Sequence, residues 1–398
     1  MSASVRTILP LAIITCTSML AMDLYLPAVP LLQRDLGASV PQGQATIAVF
    51  LVGLACSQVV WGEALHRFGP RACVKAGLWL LVASSIGSAL APELNSLLAM
   101  RLLQGIAAGA STVVSPTVIR ATLPAQDGVR GIAAISMIEA IVPAAGPVLG
   151  TLLLVVADWR LLLLAVGLMA LMSMPFALRA TPRQLPNLDE RVETGYRLLL
   201  IDHRYMRLAL SHAACLAALL AFVGSGPQVL VEIHQFGASA FAVTQVCGVA
   251  AFIVAAGQSG RISARLGAAR TIQFGAWGHV ALCSAFLAGM LLAGSVEQGA
   301  LLVFWMCFCA LLGIKGPATF SEALAVPVAQ MGRASALMVL MLLVASAGAT
   351  QAVAPYLERG GLTAVAGAML LLSLLSVSFV ARYPVAACAA TLPKRLRT

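Results

Sequence analysis

Four ionisable residues stand inside apolar runs of this 398-residue chain: Asp23, Arg101, Glu139 and Lys315. Placing such a side chain at the centre of a membrane span costs about 2.5–3.5 kcal/mol or more, so it normally faces a cavity and finds a partner. Asp23 lies in "LAMDLYLPAVP" (20–30), about seven residues from the end of its run, and Arg101 lies about six residues inside another. At 1.5 Å per helical residue, both are about 10 Å deep. Opposite charges at matched depth predict an ion pair. A carboxylate held in this way can take a proton from one side of a membrane and release it to the other, or it can simply pin two helices together. Gln104, three positions after Arg101 and on the same face, can bond the pair or a cargo, and Tyr25 is a further cargo contact. Glu139 is about 12 Å into its run and can be a second protonation site, an anchor for cationic cargo, or a side chain reaching back to the interface. Pro143, Gly146, Pro147 and Gly150 follow it at +4, +7, +8 and +11, on one helical face where small residues permit another helix to come close. Lys315 precedes Gly316-Pro317, where carbonyls freed by the proline can accept its protons, or it can neutralise an anionic cargo group. Phe222, Trp277, Trp305 and Phe308 could join Tyr25 in lining an apolar pocket, or pack, or face lipid. Glu322, near the end of its run, reads as interfacial.

The elements that position these residues follow from composition. Sixty per cent of residues are hydrophobic and 10% are charged, with mean hydropathy +0.95; a soluble domain carries about a quarter charged residues. Lipid is the matching solvent. Twelve runs are long enough to span it: 7–30, 43–64, 72–91, 95–119, 131–155, 160–179, 207–230, 240–260, 271–293, 299–324, 334–354 and 361–382. The fold expected is an all-α membrane protein of two six-helix halves, 1–180 and 207–398, the second ending in a short tail. The polar stretch 181–206 links them. The first run passes Asp23 and reaches Leu32, too long for the apolar region of a cleaved signal, so it reads as a retained helix. With both ends cytoplasmic, twenty Lys and Arg fall in inner segments against Arg34, Arg160 and Arg359 outside, which orients the chain. The net charge of +10 is spread over these loops and does not form a nucleic-acid-binding patch.

The nine cysteines show no CxxC and the five histidines no ligand spacing, so neither a metal site nor a disulfide framework is expected. There is no GxxxxGK[ST], HExxH or GxSxG, which argues against ATP-driven pumping and against an enzyme. The expectation is a monomeric carrier in a bacterial inner membrane that uses no cofactor and runs on an ion gradient.

An internal repeat supports the halves. "GEALHRFGPR" (62–71) parallels "GRISARLGAAR" (260–270), with Gly62/Gly260, Arg67/Arg265 and Gly69/Gly267 each 198 apart. Pro27/Pro227 and Pro116/Pro317 are 200 and 201 apart. Parallel repeats of six helices, with substrate bound between them near the midplane, are one known transporter plan.

On these residues the chain resembles the major facilitator superfamily. "GEALHRFGPR" looks like its loop signature, which implies a gating role for Gly62, His66, Arg67, Gly69 and Arg71. "RLLQGIAAGA" (101–110) resembles the helix 4 signature of proton-coupled members. "PAAGPVLG" (143–150) resembles the helix 5 signature of exporters and implies a conformational role for Gly146, Pro147 and Gly150. "MDLYLPAVP" and "GRASAL" (332–337) are similar to the bicyclomycin/chloramphenicol-resistance (Bcr/CflA) branch of drug:proton antiporters. The resemblance implies efflux of small amphipathic molecules by alternating access, driven by a proton gradient, the cargo being drugs or a secreted metabolite such as a siderophore. Proton-coupled import is the lesser alternative. One position departs from the signature: His66 stands where the family has an aspartate, with Glu63 one turn earlier as a possible substitute.

Overall fold

A chain this apolar can satisfy its backbone in lipid only by internal hydrogen bonding, through helices or a closed barrel. The computed structural model describes residues 3–185, 196–294, 296–326 and 328–381, and these residues are helical with no strand among them. Twelve helices of 20 to 30 residues appear in order: α1 (Ala3–Asp23), α2 (Val40–Phe68), α3 (Pro70–Ala89), α4 (Leu94–Thr122), α5 (Ala125–Leu154), α6 (Trp159–Ala180), α7 (His203–Gly226), α8 (Ala238–Leu266), α9 (Ala268–Ala293), α10 (Gln298–Ala323), α11 (Val328–Val353) and α12 (Leu357–Val380). Among the described residues, ten continuous stretches are long and apolar enough to cross a membrane, and the last of them, Arg333–Val380, contains two helices. The protein is therefore a multi-pass membrane protein. Large apolar side chains on its outside, such as Leu152, Val254, Leu292 and Leu371, are more than half exposed, as lipid-facing positions should be.

Local signals explain the ends. Ser39 and Gln42 form a capping box at the start of α2, and Asp158 and Asp202 accept backbone N–H bonds at the starts of α6 and α7. Gly69 and Gly267, equivalent in the repeat, both take positive φ (78° and 86°) where α2 turns into α3 and α8 into α9. A side chain would strain that backbone, which is why glycine recurs at this spacing. The paired prolines also act alike: Pro27 lies in a 3-10 turn (Leu26–Ala28) beyond α1, and Pro227 opens a π-helical turn (Pro227–Ile233) beyond α7. Gly361, at φ 47°, interrupts the first turn of α12, where the apolar run begins.

Packing repeats with the sequence. In the first set α2 and α3 pack on α4, α3 on α6, and α1 on α4, α5 and α6. Adding six to each label gives the packing of the second set: α8 and α9 on α10, α9 on α12, α7 on α10, α11 and α12. The sets meet along two seams, α2 with α11 and α5 with α8. Parts of the linker and the tail, residues 186–195 and 382–398, lie outside the described residues.

Candidate functional site

The site is built where α1 ends. Asp23 is its last residue; the chain then tightens into the 3-10 turn and resumes as a short helix, Val29–Asp35. In a continuous α-helix the Tyr25 N–H would bond the Ala21 carbonyl. Here it bonds Met22 O at 3.2 Å, which leaves Ala21 O free.

Arg101, fully buried on α4, takes that oxygen. Its Nη1 donates to Ala21 O at 2.9 Å and to Gln104 Oε1 at 2.6 Å. The guanidinium lies 4.1 Å from the Tyr25 ring centroid and 4.5 Å from that of Phe50, an aromatic sandwich that suits a weakly hydrated planar cation. Gln104 Nε2 donates to Ser85 Oγ at 2.8 Å, and Tyr25 donates its hydroxyl proton to Thr46 Oγ1 at 2.9 Å. Arg101, Gln104 and Tyr25 are thus brought together, with Tyr25 stacked on the guanidinium. The ion pair is not formed. Among the described residues Asp23, only 7% exposed, has no cation within 4 Å, and the salt bridges lie elsewhere. The physical reason is the helix break, which offers Arg101 a carbonyl acceptor. Two guanidinium atoms, Nε and Nη2, stay without a partner among the described residues.

The Gly-Pro face of α5 supports Asp23 from behind. A Cβ on Gly146 would collide with the Asp23 Cβ and lie 3.2 Å from Leu24 N; one on Gly150 would collide with Leu24 O. Gly146, Pro147 and Gly150 are buried, so the small residues do admit another helix, and that helix is α1 at its break. Glu139 lies on the same helix, with its side chain outside the described residues.

Lys315 does not face a cargo space. It is fully buried and donates to Ser211 O, Ser211 Oγ and Ser376 Oγ at 3.1, 3.0 and 2.6 Å. Its partners come from α7 and α12, and the expected carbonyls beside Pro317 are not used, because those serines lie within reach of the ammonium. Trp277 is 54% exposed and faces outward. Glu322 is at the helix end, paired with Arg204 at 2.7 Å. Of the loop-signature residues, Glu63, His66 and Arg67 lie in the last turns of α2 and are exposed; His66, Arg67 and Arg71 make no ion pair among the described residues. Gly69 admits the Arg183 carbonyl, which would collide with a Cβ there.

Other features were invisible to a search for charged residues. At the end of the molecule that carries Arg34, the two helix sets are tied by an Arg34–Glu232 ion pair and by Gln351 Nε2 donating to Pro41 O at 3.3 Å. Arg160 pairs with Asp35 beside them. Beneath this closed end, Gln44, Ser225, Gln245 and the Trp305 indole are buried with side-chain polar atoms unpartnered among the described residues. Gln44 Oε1 and Thr350 both approach Gly224 of α7. Trp305 stacks on Phe222 at 4.0 Å and lies 5.9 Å from Phe308. A signal was present: each glutamine interrupts an apolar run, at lower cost than a charge but still at a cost. A separate cleft of about 660 Å³, lined by Val353, Tyr356, Arg359 and Leu371, touches none of these groups.

The arrangement can do two things. It holds a buried carboxylate at the end of α1 and a buried cation on the adjoining α4, with no ion pair between them. It also buries an aromatic stack, Phe222 on Trp305, within the second helix set, and leaves amide atoms of Gln44 and Gln245 unpartnered among the described residues. Comparison with known proteins agrees with the architecture. A family model described as Major Facilitator Superfamily matches residues 11–355. The chain is 29% identical over 218 residues to Multidrug resistance protein MdtL of Escherichia coli K12 and 28% identical to that of Escherichia fergusonii, covering 54% of this chain and 56% of each relative. The chain thus spans about half the length of the curated relatives it matches. Its backbone superposes on the Escherichia coli xylose transporter XylE in a partially occluded inward-open state (TM-score 0.72, 12% identity, 96% and 97% of the two chains covered). It also superposes on a bacterial homologue of the lysosomal transporter Spinster in an inward-facing state (0.72, 15%, 96% and 94%).

Proposed function

The chain belongs to the Major Facilitator Superfamily, and on that premise we propose that it exports small amphipathic molecules in exchange for protons, by alternating access, as in the drug:proton antiporters of the Bcr/CflA branch. The observation that carries the reading is Asp23: a buried carboxylate at a helix break that has, among the described residues, no cation of its own, while an arginine with two unpartnered nitrogens stands on the adjoining α4. Multidrug resistance relatives support the cargo class, and the Phe222–Trp305 stack with its unpartnered amides supplies surfaces for an aromatic, hydrogen-bonding molecule.

The termini face the cytoplasm of a bacterial cell and the Arg34 end faces outward, so the state described is closed to the outside. A bare carboxylate inside the membrane is costly without a partner. A proton on Asp23 removes that charge. Once the proton leaves inward, the carboxylate must find a compensating group, and the free side of the Arg101 guanidinium or a cationic cargo can supply it. The same event loosens the grip of Arg101 on Ala21 O, so that the outer segment of α1 is free to move against α7. Proton and cargo thus compete for one carboxylate, which couples their movements.

The test uses inverted vesicles containing the purified protein, an imposed pH gradient and a trapped pH dye. Adding amphipathic drugs one at a time should release protons from the acidic interior when a compound is carried in. Proton flow in the same direction as the compound would instead identify an importer. A panel including siderophores separates drug efflux from secretion of a metabolite.

A further inference from the structure

A second buried base stands beside Lys315. His212 follows Ser211 on α7, is 8% exposed, and its ring lies 3.8 Å from the position of a Cβ on Gly316. Its Nδ1 has no partner among the described residues, and its neighbour Ser211 accepts from the Lys315 ammonium through both its carbonyl and its hydroxyl. Among the described residues, the helices around α10 supply no carboxylate here. From α7 come His212 and Cys215, from α9 His279 and Cys283, from α10 itself Cys309, from α12 Ser376, and from α8 Ser259, which donates to Ile314 O at 2.7 Å. Among the described residues no carboxylate lies within 4 Å of the ammonium.

Lys315 and His212 share an apolar pocket that holds no carboxylate among the described residues, only the Cys215 thiol, which lies against His279, and two bases so placed cannot both hold a charge at low cost. What surrounds Lys315 also suits a change of state. Ser211 Oγ and Ser376 Oγ are 2.9 Å apart, and Ser376 can donate to Ser211 O at 2.8 Å. A hydroxyl either donates or accepts. Both serine oxygens accept from an ammonium. If the ammonium loses a proton, one hydroxyl can turn and donate to the amine lone pair, so neither state is left unsatisfied. A purely structural tie needs no such reversibility.

We infer that Lys315 and His212 form a second proton-binding site, which holds one proton between them in the second helix set. His212 lies nine residues into α7, about 14 Å from its start, so the proton would leave toward the end at which α7 begins and α10 finishes. This deepens the proton-coupled reading above but stands on different helices, and its test requires no transport.

The chain has only three lysines, Lys75, Lys315 and Lys394. Full-length protein with K75R and K394R, labelled with ¹³C at the lysine ε carbon and reconstituted in nanodiscs, therefore gives a single lysine signal. On titration over the range in which the protein stays folded, that signal should pass between ammonium and amine positions. In His212→Gln the midpoint should move by about one pH unit or more. If His212→Gln does not fold, Ser376→Ala, which removes one of the reversible hydroxyls, should move it instead. A signal that keeps its ammonium position throughout, or a midpoint that neither substitution moves, overturns the inference and makes Lys315 a fixed tie. Because transport is not read, loss of coupling at Asp23 would leave this result standing, and the reverse also holds.

Discussion

Replacing Gly146 by alanine adds one methyl group at the place where α5 touches the break in α1. That methyl would collide with the Asp23 Cβ and lie 3.0 Å from the Asp23 carbonyl carbon and 3.2 Å from Leu24 N. Relaxed carbon contacts lie at about 3.5–4.0 Å. The neighbours are backbone atoms and a Cβ, none of which can swing aside, so α1 and α5 must part by roughly 1 Å. Overpacking of this kind costs about 1–3 kcal/mol, a factor of roughly five to 150 in the folding equilibrium. The shift also displaces Asp23 at the break, because the Asp23 Cβ is the atom the new methyl meets first. We expect Gly146→Ala to lower the midpoint of thermal unfolding in detergent and to reduce transport at least tenfold at equal amounts of folded protein. Gly289→Ala is the control, because nothing lies within 4 Å of the added methyl; better helix propensity should leave it neutral or slightly stabilised. A Gly146→Ala protein as stable and as active as the Gly289→Ala protein would refute the reasoning.

Other substitutions test separate contacts. Arg101→Lys keeps a charge but cannot fill the Tyr25–Phe50 sandwich while bonding both Ala21 O and Gln104, so transport should fall tenfold or more with little change in expression; wild-type rates would show that only the charge matters. Arg34→Ala should change stability little, since an exposed pair contributes little, but should increase labelling of a cysteine placed at position 44 by an outside, membrane-impermeant reagent; Arg34→Glu with Glu232→Arg should restore protection, and unchanged labelling in the single variant would show that the pair is not part of the outer closure. Trp305→Ala should weaken transport of aromatic compounds more than of aliphatic ones, measured as a change in KM; an equal loss for both would remove the stack from recognition.

Much of the architecture was legible because it depends on local rules. Apolar length marked twelve spans, and the 198-residue offset marked Gly69 and Gly267 because a positive φ at each helix junction is a backbone demand that only glycine meets cheaply. The small residues after Glu139 announced a close helix contact, though not its partner. The finer placement of charge was not legible. Depth matched Asp23 to Arg101, but whether they pair depends on a carbonyl freed by a helix break, and the sequence of that segment does not show which oxygen is released. Lys315 beside Gly316-Pro317 pointed to its own helix, whereas its partners, Ser211 and Ser376, are 104 and 61 residues away. The Arg34–Glu232 tie joins residues 198 apart, the repeat offset itself, yet nothing in either segment alone distinguishes it from a solvated charge.

The most direct test of the account is substrate-induced proton release in inverted vesicles, comparing wild type with Asp23→Asn, alongside counterflow of the same compound without a pH gradient. The amide keeps the shape of the side chain but cannot carry a proton. We expect Asp23→Asn to lose proton release and gradient-driven accumulation while counterflow of a neutral compound persists, which would show a carrier that still alternates but is uncoupled. Proton release at the wild-type rate in Asp23→Asn would contradict the account and move coupling away from the α1 break.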